Sequence, residues 1–286
     1  MDPKLLVGLA FKISIFATVF GFGLHATKDD LLYLIRRPGL LVRSLLAIFV
    51  IMPVVAYALA RFFPFRPTVE IALMALAISP LPPLLPGKQA KAGGQASYGL
   101  GLMAILALLS LVLVPLLVEI LDAVSPRDLA MSPRSVAGLV LTGALLPLAA
   151  GMLVRALAPG FAERIAKPVA LVAKVLLALA ALVLLVVAAP AMWALVGDGT
   201  ILALVLFLVI GFAVGHLLGG PDPEHSTVLA LATACRHPAI ALGIAAANFP
   251  DLHFGATILL YVLLGAIVGI PYLAMQKKRV PAAAPG

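Results

Sequence analysis

The sequence predicts an all-α polytopic membrane protein of nine transmembrane helices, arranged as two inverted repeats with two discontinuous helices. Three observations predict it. Hydrophobic residues make up 63% of the chain and charged residues only 11%, far from soluble averages. Separate apolar runs each approach or exceed the roughly 20 residues that cross a bilayer. Two of those runs are interrupted by proline in mid-span, at Pro80–Gly87 and at Arg236–Pro238.

The spans follow in order. The first covers residues 5–24 and carries Lys12, a lysine placed to snorkel or to face another helix. The second covers 40–63, with a kink expected at Pro53. The third begins near Val69 and runs into S-P-L-P-P-L-L-P-G, whose four prolines in nine residues cannot continue a helix. Its second half is expected at 88–94. The fourth span is 95–121 and the fifth 136–157, with Pro147 inside it. The sixth, 168–195, is the longest and most uniformly apolar. The seventh is 201–218. The eighth, 225–249, contains the Arg236-His237-Pro238 break, and the ninth is 252–275. A proline there removes a backbone hydrogen bond and pushes the residue before it out of helical angles.

The net charge of +8 belongs to the loops. Nine spans put the termini on opposite faces. Twelve basic residues, including Lys28, Arg36, Arg37, Arg155 and Lys277, fall on one side and five on the other, which predicts an outside N-terminus and a cytoplasmic C-terminus. The N-terminus reads as the start of the first span and not as a cleavable leader. Cys235 is the single cysteine, so no intrachain disulfide forms. Residues 280–286 are expected to be a disordered tail. Alternating segments of a β-barrel are absent.

The two breaks divide the chain. Residues 1–122 hold four spans with a broken helix at about 69–94. Residues 132–279 hold five, with a broken helix at about 225–249. Two similar halves, the first lacking its opening helix, account for this, and the offset inverts one half relative to the other. Interrupted segments at matching places in two halves point to a transporter's binding site.

Several stretches carry a resemblance. F-G-F-G-L-H-A-T-K-D-D-L-L-Y-L-I-R-R-P at 20–38 and I-F-V-I-M-P at 48–53 resemble early elements of the bile acid:sodium symporter family. Pro86-Gly87 resembles its first crossover, G-H-L-L-G at 215–219 the end of its penultimate stage, and C-R-H-P-A-I-A at 235–241 its second crossover helix. The resemblance covers nearly the whole chain. It implies a core domain around two crossed, broken helices, a panel domain formed by the other helices, and alternating access for an organic anion. The positions matching the family's sodium ligands depart from it. They fall at Ile48, Lys91-Ala92, Ala232 or Thr233, and Arg236-His237. Sodium wants oxygen donors, and lysine and arginine have no acceptor to offer.

The candidate substrate contacts are Arg236, His237, Lys88, Lys91, Gln95 and Asn248. Arg236 is the arginine set deepest in any span, where a charge costs about 3 kcal/mol and so faces protein or water. It either binds an acid by paired hydrogen bonds or locks the break through free carbonyls. Lys88 and Lys91 are either ligands or cytoplasmic anchors. His237 either caps the break or takes protons. The expected function is secondary transport of a small organic anion without sodium coupling. A sodium symporter that uses backbone carbonyls is one alternative, and a non-transporting sensor or scaffold another. No metal set, cofactor motif, nucleic-acid signature or nucleophile–base pair is present in the sequence, and the oligomeric state is not legible.

Overall fold

A computed structural model of the protein describes residues 3–63, 65–124, 133–197, 199–248 and 254–279. Residues 125–132 and 249–253 and the expected disordered tail at 280–286 lie outside them. The described residues form helices joined by short turns, with no strand among them. In order they are α1 (Pro3–His25), α2 (Lys28–Leu32), α3 (Pro38–Leu45), α4 (Met52–Phe62), α5 (Pro67–Ile78), α6 (Leu85–Lys91) and α7 (Ala96–Val124). After these come α8 (Pro133–Val140), α9 (Leu146–Leu157), α10 (Pro159–Trp193), α11 (Thr200–Gly219), α12 (Pro223–Ala234), α13 (Pro238–Asn248) and α14 (Gly255–Arg279). Eight stretches among the described residues are long and apolar enough to cross a membrane, and α5 is a shorter apolar helix. The chain is a multi-pass membrane protein.

Proline sets the local detail. The second span is not simply kinked at Pro53. A π segment, Leu46–Ile51, joins α3 to α4, and the Met52 N–H bonds back to the Ala47 carbonyl. A second π segment, Leu141–Leu145, joins α8 to α9 in the same way, just before Pro147. The wider turn takes in the residue that a proline ring would otherwise strike. The expected start of the sixth span at Pro168 is not a boundary, because α10 begins at Pro159 and runs through it. Pro168 removes one ladder bond near the basic end of the helix, and the flanking turns hold. Likewise α6 begins at Leu85, earlier than the expected 88, because Pro86 falls in its first turn, where proline is tolerated.

Two packing groups emerge. Helices α1, α9 and α10 pack on one another. Gly23 and Gly151 bring α1 and α9 so close that a methyl group on Gly151 would overlap the Phe20 carbonyl. The outer face of α10 is largely exposed and apolar, as suits contact with lipid. In the other group α11 lies along α12. Gly211, Gly215 and Gly219, spaced by four, meet Ala234, Ala230 and Ser226 in turn. Within this group α5 packs against α13, and α6 against α12.

The short helix α2 connects the groups. It opens with a capping box in which the Asp30 carboxylate accepts from the Thr27 N–H at 2.7 Å, while the Thr27 hydroxyl accepts from the Asp30 N–H at 3.2 Å. Ser97 of α7 donates to the other Asp30 oxygen. Partial burial pushes the Asp30 carboxyl up, but the bonds from Ser97 and Thr27 outweigh it and hold the group below its ordinary 3.8.

Two outcomes follow from this packing. Gly215→Ala drives a methyl group into the Leu229 carbonyl, which cannot rotate away. It lowers Tm in detergent by about 5–10 °C, whereas Gly138→Ala, with open space at its Cα, leaves Tm unchanged or slightly raised. Asp30→Asn lowers Tm by about 2–4 °C at pH 7, the worth of a lost cap. Because the folded carboxyl titrates below 3.8, that difference is full at neutral pH and shrinks as pH falls below it. Thermal unfolding of the pair at pH 7 and pH 3 checks the sign.

Candidate functional site

Three carbonyls that meet near the breaks lack a helical donor because a proline stands where the donor would be. After the π segment, the next donor in sequence would be Pro53, which has no N–H to give the Ile48 carbonyl. At the first break the chain is extended at Ser79, and the residue four further on, where a helical donor would stand, is Pro83. At the second break Pro238 stands four residues after Ala234. Buried carbonyls need partners.

Arg236 and Tyr261 supply them. Arg236 is 1% exposed and heads the fully buried side chains by size. Its Nη2 donates to the Ile48 carbonyl at 2.6 Å and its Nη1 to the Ser79 carbonyl at 3.3 Å. The Tyr261 hydroxyl of α14 donates to the Ala234 carbonyl and accepts from the Arg236 backbone N–H at 2.8 Å. The His237 N–H reaches across to the Pro80 carbonyl at 2.9 Å, tying one break to the other. Tyr261 therefore satisfies one of the three carbonyls, and from the second break the Arg236 guanidinium reaches the other two, at two other interruptions. Among the described residues no carboxylate pairs with it, and its Nε–H has no partner.

The other sequence-predicted residues lie at different depths. The buried His237 ring sits at the head of α13, where its Nδ1 accepts from the Ile240 N–H at 3.4 Å. That bond places the neutral ring's proton on Nε2. Lys88 is half-buried in the last turn of α6, Lys91 is exposed, and Gln95 is half-buried in the turn before α7. Asn248 ends α13, and its side chain lies outside the described part. The structure thus brings Arg236 and His237 to the meeting of the breaks, with Lys88 on the neighbouring half-helix and Lys91 facing outward. Cys235 keeps part of its surface exposed beside them.

Three contributors escaped the sequence reading. Tyr261 sits in a plain apolar span, with nothing in the sequence to mark it. The Ile48 carbonyl is a backbone group whose availability follows from Pro53. Gln89 is fully buried in α6 and donates from Nε2 to the Val228 carbonyl of α12 at 2.9 Å. A polar residue between two lysines in a proline-rich segment was its available signal. Among the described residues no group of His, Cys, Asp or Glu is placed to hold a metal ion.

Residues 12–195 match the model of the Sodium Bile acid symporter family. A Bacillus subtilis (strain 168) protein described as the uncharacterized sodium-dependent transporter YocS is 30% identical over 175 residues, which is 58% of this chain and 51% of that protein. The chain thus spans about half the length of the curated relative it matches. The family match takes in the first break and the π segment at Pro53, and it ends before Arg236. Broken apolar helices, backbone satisfied at membrane depth by buried side chains, and this match agree: the chain belongs to the sodium bile acid symporter family, a family of membrane transporters.

Proposed function

We propose that this protein is a secondary transporter that moves a small organic anion by alternating access and without sodium coupling. The observation that carries the reading is Arg236, a buried fixed cation spread over carbonyls from two separate segments. Backbone oxygens gathered at a membrane-buried point suit a hard cation. Here a guanidinium takes them, its charge is permanent, and a second cation beside it would be repelled. The half-buried Lys88 adds positive charge on the neighbouring half-helix, and Lys91 lies further out. We assign the substrate to this region, with Lys88, Gln95, His237 and Asn248 as contacts. Arg236 locks the breaks and adds its field, and His237 is the candidate proton carrier.

The wider architecture belongs to the same proposal. The pairing of α5 with α13 and of α6 with α12 supports two interrupted segments that cross in opposite directions. That arrangement fits inverted repeats at 1–122 and 132–279, nine spans, and a core moving against a panel of α1, α8, α9 and α10. The distribution of basic residues among the loops supports a cytoplasmic C-terminus.

The name of the Bacillus relative favours a second reading, sodium coupling through backbone oxygens. Uptake of a panel of carboxylates into proteoliposomes, in sodium against choline buffer, separates the two. The proposal expects rates equal within about twofold in the two buffers, since no site is left for the ion to occupy. A saturable sodium requirement overturns it, and binding without flux supports a sensor instead.

Arg236→Ala leaves two buried carbonyls unpaired, at about 1–3 kcal/mol each, and lowers Tm by about 5–15 °C. Arg236→Lys keeps the charge but cannot bridge the two oxygens. It shows most of the Tm loss while retaining anion-induced thermal stabilisation. Loss of anion binding in the lysine variant, with Tm preserved, would make Arg236 a direct substrate contact.

A further inference from the structure

Two of the contacts that α1 and α8 make with the other group fall on glycines, one on the second half of each interrupted segment, while α10 packs against α14 elsewhere. Gly87 of α6 faces Phe22 of α1. A methyl group placed on Gly87 would lie 3.1 Å from the tip of the Phe22 ring and 3.3 Å from the next ring carbon. Gly243 of α13 faces Leu139 of α8, with the corresponding distance 3.7 Å. Because α6 packs with α12 and α13 with α5, the two contacts lie on opposite sides of the point where the breaks meet. In each, a large apolar side chain from one group rests on bare backbone of the other. Gly87 immediately precedes Lys88, whose side chain keeps partial exposure.

We propose that Phe22 is the gate on the α6 side of the site and Leu139 its counterpart on the α13 side. This rests on the transport reading above. Each closes the gap between the groups by seating on a glycine, where no side chain stands in its way. The two are not equivalent. A Cβ at position 87 would require the Phe22 ring to give by a few tenths of an ångström, whereas Leu139 makes an ordinary van der Waals contact. The glycine at 87 therefore lets the ring seat most closely, and Lys88 is the charged group that Phe22 covers or uncovers.

The experiment uses the full chain in proteoliposomes. Cys235→Ser removes the native thiol, and Lys88→Cys or Gly243→Cys supplies a probe for a membrane-impermeant maleimide. Phe22→Ala speeds labelling at position 88 by roughly tenfold, the effect of shifting the closed state by one decade, and leaves position 243 unchanged. Leu139→Ala does the reverse. Gly87→Ala, tested through Lys88→Cys, speeds labelling in the same direction as Phe22→Ala because the added methyl group pushes the ring out of its closest seat. Unchanged labelling at 88 in Phe22→Ala overturns the gate, and so does an equal rise at both positions, which would mean a loosened protein. Carboxylate flux through the Cys235→Ser protein with Lys88 intact is measured in parallel. Flux with labelling indifferent to Phe22 overturns the gate alone. The expected labelling without flux supports the closure and overturns the transport reading.

Discussion

The structure depends on how it satisfies carbonyls that its own prolines have stripped of donors. Pro53, Pro83 and Pro238 each remove an N–H that would have closed a turn, and each leaves an acceptor at depth in an apolar environment. Water could solvate such groups, but membrane-buried backbone has to find protein partners. Arg236 covers two of the three and Tyr261 the third. The guanidinium suits the task, since its five donors lie in a planar fork that can reach carbonyls approaching from different segments. This also accounts for a cation without an ion pair. A carboxylate would neutralise it, whereas carbonyl dipoles solvate it and leave its charge in place.

Rigidity elsewhere makes this junction meaningful. The Gly211, Gly215 and Gly219 row lets α11 lie directly on the backbone of α12, so the first half of the second interrupted segment is splinted along its length. Gln89 then fastens α6 to the same helix through the Val228 carbonyl. Gly23 and Gly151 do similar work between α1 and α9. Where the two groups meet, at Gly87 and Gly243, glycine serves a different end. It offers a flat seat for a side chain and no interlocking backbone. Glycine packs backbone tightly within each group, and between the groups α10 rests on α14 while α1 and α8 reach the glycines of α6 and α13.

Much of this was legible in the sequence, and the boundary is physical. Length and hydropathy placed most span ends to within a few residues, the start of the sixth excepted, because crossing a bilayer fixes the length of an apolar helix. Proline located both breaks, since its effect on the backbone is local. Proline also misled where context tolerated it. Pro168 starts nothing, Pro86 lies inside a helix, and Pro53 and Pro147 sit behind π segments that a simple kink does not describe. Arg236 and His237 stood out as polar residues in apolar surroundings. Their partners did not. A carbonyl carries no sequence identity, so that Ile48 and Ser79 would receive the guanidinium depends on three segments converging, which no local pattern encodes. Tyr261 and Phe22 were invisible for the same reason, being ordinary membrane-helix residues whose roles come from what they face.

Polarity at the meeting of the breaks sharpens the functional reading. The C-terminal ends of α5 and α12 bring partial negative charge there, and the N-terminal end of α13 brings partial positive charge. Arg236 follows α12 directly and bonds the carbonyl at the end of α5, so it is held at the two negative ends. What remains outward of it is the positive end of α13, with His237 at its head, and Lys88 on the neighbouring half-helix. A cation entering this region would find its oxygens already taken and its approach opposed. An anion would meet unspent donors and a permanent charge behind them. On the proposed reading, the junction holds a covalent charge where a removable one could sit, and the species left free to come and go is an acid.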